Sequence, residues 1–517
     1  MIEKDILIIG SGIAGLSFAL NIAKKRPDLS ICILTKSNKA ETNTRYAQGG
    51  IAVVMDIIHD SYQEHINDTL KAGGELCNKK VVEMVVKKAP ERLRELMEWG
   101  VKFDMALKNR FDVGLEGGHS HARILHRKDM TGYEIEKKLL YHTSQYKNIS
   151  ILPHHFALDL ITGSSYIIGK NTTTCYGAYV FSQEYKCIKI FKAGITMLAT
   201  GGSGQVFITT TNPLIATGDG VAIAHRAHAK IRDMQFIQFH PTAFYEHHSK
   251  PSFLISEAIR GFGAYILNKK GSRFLFDYDN RGELATRDII SMAIHCELLK
   301  SGEACVFLDC RHLDHKKFRK HFPGIYKYCQ KKGINTDKDL IPITPAAHYQ
   351  CGGITTNRKA QTSIKNLYAC GECSSSGLHG SNRLASNSLL EAVVFSHEAA
   401  AHILKNLDST RTKLEFTFNK YTLKKTSFKK LSAMRMEIRQ IVSLYAGIEK
   451  SKSGLLNAKA LLKKFDLMIK RNYPDGTLQT DFWEVKNLLT VAQLIVDQSL
   501  NFYYKKHKQN EKQTHGK

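Results

Sequence analysis

The stretch DILIIGSGIAGLSFALNIAKK, Asp5–Lys25, decides the fold. Ile6 to Ile9 read as a buried strand, Gly10, Gly12 and Gly15 follow as a turn, and an amphipathic run from Leu16 reads as a helix. Glycines at this spacing allow a tight turn, a close approach of backbone to a pyrophosphate and close packing of helix on strand. The helix N-terminus then points its free N–H groups at the phosphates. A bare GxGxxG is weak; between a strand and a helix it is the dinucleotide-binding fingerprint in its required context. The second strand, SICILTK (Ser30–Lys36), ends where an acidic residue ordinarily holds the adenosine ribose, and Thr35 and Lys36 stand there instead. That departure argues against a plain NAD site and for FAD, with Lys36 near a phosphate.

Further glycine turns are expected after apolar strands at Ile195–Gly204, Ala216–Ala227 and Asn366–Cys373, as suits a long, extended cofactor. The predicted class is α/β: a Rossmann-like FAD-binding domain (1–233 and 349–406) interrupted by an α+β capping domain (234–348), with a C-terminal helical bundle (407–517). The bundle rests on amphipathic periodicity at Leu423–Tyr445, Leu455–Met468 and Asp481–Tyr504, with NYPDGT from Asn472 as a break. The tail from Lys505 is polar and expected to fray.

At 517 residues the chain exceeds one ordinary core. No run approaches the ~18 uninterrupted apolar residues of a membrane span. Met1–Asp5 leads straight into the first strand, so a cleavable signal is not expected and the cytoplasm is the expected compartment. Eleven cysteines are scattered singly apart from Cys370 and Cys373, a lone CxxC from which no metal site is expected. The formal charge of +26 invites a nucleic-acid reading. The lysines are spread along the chain, with crowding at Lys424–Lys430, and no nucleic-acid motif accompanies them, so no such partner is expected. A basic field also attracts dianionic substrates.

GLHGSNRLASNSLLEAVVF, Gly377–Phe395, places an arginine and a serine-rich turn ahead of an apolar helix. Arg383 offers a planar fork suited to a carboxylate. The N–H groups around Ser386 to Ser388 would favour the electron-rich edge of a reduced flavin. A capped core helix is the alternative.

Together the motifs resemble the flavoproteins of succinate dehydrogenase and fumarate reductase, and within that family the L-aspartate oxidase branch. The resemblance runs from residue 2 to about residue 500. It is carried by Thr44–Val54 (TRYAQGGIAVV), Leu115–His126 (LEGGHSHARILH), Gln235–Phe244 (QFIQFHPTAF), Ile255–Ile266 (ISEAIRGFGAYI), Glu283–Ile294 (ELATRDIISMAI), Pro345–Ile354 (PAAHYQCGGI) and Gly377–Phe395. Membrane-bound relatives attach FAD through a histidine at the position of Asn43, a side chain that forms no such bond, so the FAD is expected to be non-covalent. EGGHSH at Glu116–His121 follows the aspartate-oxidising pattern. The family's C-terminal Glu-Ser-Arg-Gly-x-His element is absent; NFYYKKHKQNEKQTHGK stands there.

The resemblance implies oxidation of L-aspartate to iminoaspartate, with O2 (giving H2O2) or fumarate as acceptor, as the first step of NAD biosynthesis through quinolinate. A soluble fumarate reductase or succinate dehydrogenase subunit is the alternative. His240, His348, Arg383 and the Ser256 hydroxyl, where Thr is usual, are assigned to the substrate carboxylates. Arg287 takes the proton-transfer position, with electrostatic stabilisation or a structural ion pair with Asp288 as rival roles. Glu116 faces the substrate ammonium or caps a neighbouring helix. The FAD set is Gly10, Gly12, Gly15, Lys36, Thr44, Gln48, Gly49, Gly50, Asp219, Glu372, Ser388 and Leu389, with Glu372 a hydroxyl acceptor or a helix cap. The implied partners are small molecules, with transient contact to quinolinate synthase, in a monomer or weak homo-oligomer.

Overall fold

The fingerprint strand Ile2–Ile9 runs through the middle of a seven-stranded sheet. In spatial order the strands are Ile149–Leu152, Ile31–Leu34, Ile2–Ile9, Cys187–Leu198, Lys170–Ser182 and His155–Ile167, with Leu367–Ala369 also pairing with Cys187–Leu198. The pairings made by Ile2–Ile9, Ile31–Leu34 and Leu367–Ala369 are parallel. His155–Ile167 pairs antiparallel with Lys170–Ser182, which pairs antiparallel with Cys187–Leu198. The computed structural model describes residues 1–106, 110–167, 170–246, 251–407, 428–472 and 479–514. The His247–His248 pair, most of the Lys424–Lys430 crowding and the break that follows Asn472 lie outside the described residues.

Strands covered on both faces must be apolar at every position. Accordingly Ile6, Ile8, Ile31 and Ile33 pack on one face with the helices Ile13–Ala23, Lys79–Glu98, Thr131–Thr143 and Asn387–Asn406. Their neighbours Leu7, Ile9, Cys32 and Leu34 point the other way, since side chains alternate along a strand. There they share a core with Val221 of the helix Asp219–Arg226 and with the C-terminal helices Phe428–Tyr445, Lys452–Asn472 and Thr480–Thr514, through Ile438, Leu462 and Trp483.

The fingerprint glycines are required by contact. A Cβ on Gly10, at φ +117°, would lie 2.0 Å from the Ala199 carbonyl oxygen, and one on Gly15 would lie 2.2 Å from that of Gly10. The turn at Ala216–Ala227 does not follow a strand as expected. Residues 207–217 form a loop held by its own polar groups: the Thr210 Oγ1 donates to the Ala347 carbonyl and the Gln205 side chain to that of Asn212. Gly218, in the left-handed region, then starts the helix Asp219–Arg226.

Between the two FAD-sheet segments lies a four-stranded antiparallel sheet in the order Ile237–Phe244, Ile341–Gln350, Val306–Asp309, Tyr265–Leu267. It packs on the helix Arg287–Ser301 around Ile255, Ile290, Ile294, Leu308 and Ile343. Among the described residues no helix is long and apolar enough to cross a membrane.

Candidate active site

A cavity of about 380 Å³ is lined both by the Gly10–Ala14 turn and by Glu116, His240, Ser256, Arg287, His348 and Arg383. Every residue assigned from sequence to the cofactor or the substrate lines it, except Gly15, which packs the helix onto its strand.

At the cofactor end the chain presents mostly backbone and small side chains. The Thr44 hydroxyl accepts from the Ile13 N–H, joining the fingerprint helix to the Thr44–Tyr46 turn. Gly49 and Gly50 leave room where a Cβ would come 3.0 Å from Glu116 Oε1 and 2.1 Å from the Leu125 carbonyl oxygen. Ser386, at φ 60°, caps the helix Asn387–Asn406 that carries Ser388 and Leu389. Glu372 follows the strand Leu367–Ala369, and its carboxylate accepts from Asn43 Nδ2 at 2.8 Å and the Gln350 N–H at 3.1 Å. Burial pushes Glu372 up to about 7. Lys36 does not stand free for a phosphate: its ammonium donates to Asp219 at 2.7 Å, Glu484 at 2.6 Å and the Thr217 hydroxyl. Asp219 in turn accepts from Asn487 of the last helix, so this corner is an ion-pair strut between the first sheet and the C-terminal helices.

At the other end charge dominates. Arg287 opens the helix Arg287–Ser301, and its partner is Glu257 (Nε to Oε2, 2.5 Å) rather than Asp288, whose carboxylate accepts from Asn382. Arg287 also donates to the Gln238 side-chain oxygen Oε1 at 2.9 Å, while Gln238 Nε2 donates to Asn382 Oδ1 and to the Arg383 backbone carbonyl. One amide thus sets the two cavity arginines relative to each other. Glu257 is shared with the buried Arg260 at 2.8 Å. Burial alone would raise the Glu257 carboxyl, but Arg287 and Arg260 more than offset this and hold it below the ordinary range. Arg383 rests over the Tyr349 ring, 4.2 Å from its centroid, and donates to the Ser388 hydroxyl at 2.8 Å. Glu116 accepts from the Ser386 hydroxyl at 2.6 Å, and burial, with Glu257 nearby, raises its carboxyl.

A family model described as an FAD binding domain matches residues 5–389. An L-aspartate oxidase of Yersinia pestis is 40% identical over 499 residues, covering 95% of this chain and 92% of the relative. A chloroplastic L-aspartate oxidase of Oryza sativa subsp. japonica is 38% identical over 519 residues, covering 96% of this chain and 79% of its own. The chain belongs to the L-aspartate oxidase family. Its fold is also that of an E. coli quinol fumarate reductase structure, at a TM-score of 0.85 and 29% identity over 96% of this chain and 88% of the other.

The L-aspartate oxidase family is one of FAD enzymes, and the cavity fits FAD on its own terms. Asn43 Oδ1 and Gln48 Oε1 both belong to residues lining it and are buried without a partner. Buried polar atoms are ordinarily satisfied, so such a pair marks where a polar ligand completes the site.

His240 and His348 meet edge to face, 5.0 Å between centroids. Both are held well below their ordinary value, first by burial and then by Arg287. His240 Nδ1 faces both the Thr242 N–H and the Thr242 hydroxyl, each at 3.3 Å. His348 Nδ1 bonds the Thr211 hydroxyl at 2.8 Å. The Ser256 hydroxyl accepts weakly from the Ala258 N–H at 3.3 Å.

Sequence reasoning missed Glu257, Arg260, Gln238 and Tyr349, although each stands inside a motif already quoted. The i, i+3 spacing of Glu257 and Arg260 was the available signal. The Glu484 contact to Lys36 spans 448 residues and carries no local signal. Cys370 and Cys373 are buried free thiols. Among the described residues Asp60, Glu64 and His121 are the group close enough to hold a metal, but Arg123 already engages both Asp60 oxygens.

Proposed function

We propose that this protein oxidises L-aspartate to iminoaspartate with non-covalent FAD. The observation that carries the reading is the buried carboxylate of Glu116 in a cavity that also holds Arg287, Arg383, His240 and His348. A ligand with two carboxylates and one ammonium complements that set; a plain dicarboxylate offers Glu116 no cation to pair with, leaving it only the Ser386 hydroxyl. FAD, when bound, supplies the two-electron acceptor. Gly10, Gly12, Thr44, Gln48, Gly49, Gly50, Glu372, Ser388 and Leu389 hold it, and Asp219 and Lys36 brace that corner.

Arg383, His348, His240 and Ser256 receive the carboxylates. The histidines do so as neutral N–H donors, because a cationic imidazole beside two arginines is disfavoured. Glu116 receives the ammonium with a charge-assisted hydrogen bond, and an incoming cation favours its ionised form against the burial that raises it. Arg287 handles the ammonium proton and, through its fork on Glu257 and Gln238, stays fixed while doing so. Dry surroundings strengthen each of these contacts. Oxygen or fumarate takes the electrons afterwards, in the cytoplasm, and the unstable product passes to the next enzyme of quinolinate formation.

The test is anaerobic addition of L-aspartate to the purified yellow protein. Bleaching of the flavin absorbance is expected with L-aspartate, and acid precipitation should release all flavin into solution. Bleaching by succinate but not by L-aspartate, or yellow colour retained on the pellet, favours a succinate dehydrogenase type instead.

A further inference from the structure

Three arginines are buried about this cavity, and they are held in two ways. Arg287 and Arg260 share the Glu257 carboxylate. Arg383 makes no ion pair among the described residues: one N–H goes to Ser388, its Nε is buried without a partner, and its plane lies over Tyr349. A buried guanidinium without a counterion is costly unless something else holds it. Burial, with Arg287 adding repulsion, lowers it to about 10.

What lies beneath the ring is a closed polar cluster. The Tyr349 hydroxyl donates to Glu391 Oε2 at 3.0 Å. The same oxygen meets His379 Nε2 at 3.0 Å, and the Ser376 hydroxyl donates to the other carboxylate oxygen. His379 stands perpendicular to the Tyr349 ring, 5.2 Å between centroids. Tyr349, His379 and Glu391 are all buried. Glu391 lies three residues beyond Ser388 on the helix Asn387–Asn406, so one helical face supports Arg383 twice: through the serine hydroxyl and through the ring.

We propose that Glu391 and Tyr349 are positioning residues for carboxylate recognition: Glu391 fixes the ring through the tyrosine hydroxyl, and the ring face holds Arg383 charged, oriented and free of any counterion. A carboxylate in direct contact would neutralise the arginine and compete with the substrate. Set behind a ring, the same charge enriches the π face by accepting the phenolic hydrogen bond and leaves the guanidinium fork open. The inference rests on the reading of Arg383 as a carboxylate clamp.

The test uses the FAD-loaded enzyme and succinate, which binds without an ammonium, with its Kd read from the flavin absorbance. Tyr349→Phe keeps the ring and removes the link to Glu391; its succinate Kd and L-aspartate KM should rise roughly five- to tenfold, the order of one hydrogen bond. The kcat should stay within about twofold, with FAD content and Tm unchanged, because only ground-state and transition-state binding in common is lost. Glu391→Gln should shift binding in the same direction. The double variant should be no worse than the weaker single, since both remove one bond. Additive losses, or unchanged Kd with lowered Tm or FAD content, would overturn the proposal in favour of simple packing. Arg383→Gln is the reference and should weaken succinate by a larger factor. If it does not, the clamp reading has failed and this inference falls with it, whatever L-aspartate does to the flavin.

Discussion

The two ends of the cavity are built from different materials. The cofactor end is mostly backbone, glycine and amide oxygens without a partner, with Glu372 and the paired Lys36 and Asp219 at its margin; the substrate end is a set of buried charges, of which Arg287 is paired with Glu257 and Arg383 is not. The first binds by shape and by backbone N–H groups whose placement follows from secondary structure. The second binds by unbalanced charge, which is stable only because distant segments hold it. Losses at the substrate end should therefore appear in turnover and specificity, and losses at the cofactor end in stability and flavin retention.

The largest expected effect is at Arg287. Lysine keeps the charge but cannot reach both Glu257 and Gln238 as a planar fork, so Arg287→Lys should lower kcat by at least about a hundredfold with FAD content unchanged. A flavin-free, unstable variant would instead mean that the two ends are one structural unit.

Glu372 tests the cofactor end. Its carboxyl is raised by burial from 4.5 to about 7, so the folded apoprotein binds a proton more tightly than the unfolded chain. Stability is then lost as pH rises through that window, by about 3 kcal/mol over its full span. Glu372→Gln removes the dependence, and Asn43, whose Oδ1 has no partner, can turn to meet the new amide. Between pH 4.5 and pH 8 the apoprotein variant should gain that amount relative to wild type in chemical denaturation. Parallel curves would show that Glu372 is not strained.

Glu116 sharpens the contrast within the substrate end. Glu116→Gln should cut kcat/KM for L-aspartate by about ten- to a hundredfold, from a charge-assisted bond of roughly 1.5–3 kcal/mol, while sparing fumarate reduction by pre-reduced enzyme. Because the Glu116 carboxyl is raised, wild-type kcat/KM should fall on the acid side at a higher pH than for an ordinary carboxylate, and the variant should lose that limb. Equal loss of both activities would mean that Glu116 only holds Ser386.

The smallest effect is expected at Glu484, which shares Lys36 with Asp219. With Asp219 still in place, Glu484→Gln should cost roughly 1–2 kcal/mol of stability and leave kcat unchanged. A change in kcat without loss of stability would tie the C-terminal helices to the chemistry.

Sequence alone determined whatever is local. The Gly10 to Gly15 turn between a strand and a helix can fold in essentially one way, and Gly10 and Gly15 are required by contacts with the neighbouring strand's end and inside their own βα unit. The apolar runs Ile6–Ile9 and Ile31–Leu34 marked a doubly covered sheet, and the 3.6-residue period marked the C-terminal helices. Asn43 and the EGGHSH run were legible as chemical substitutions at motif positions. What only the tertiary structure decided is who meets whom. Arg287 is followed by an acidic neighbour, yet pairs with Glu257, 30 residues away, because the helix start turns Asp288 toward Asn382. Lys36 sits where a phosphate contact was expected and is claimed by two carboxylates, one from the last helix. Arg383 keeps its charge unpaired because Tyr349 and Glu391 lie beneath it. Charges act through space over several ångströms, and a sequence records only the order in which they arrive.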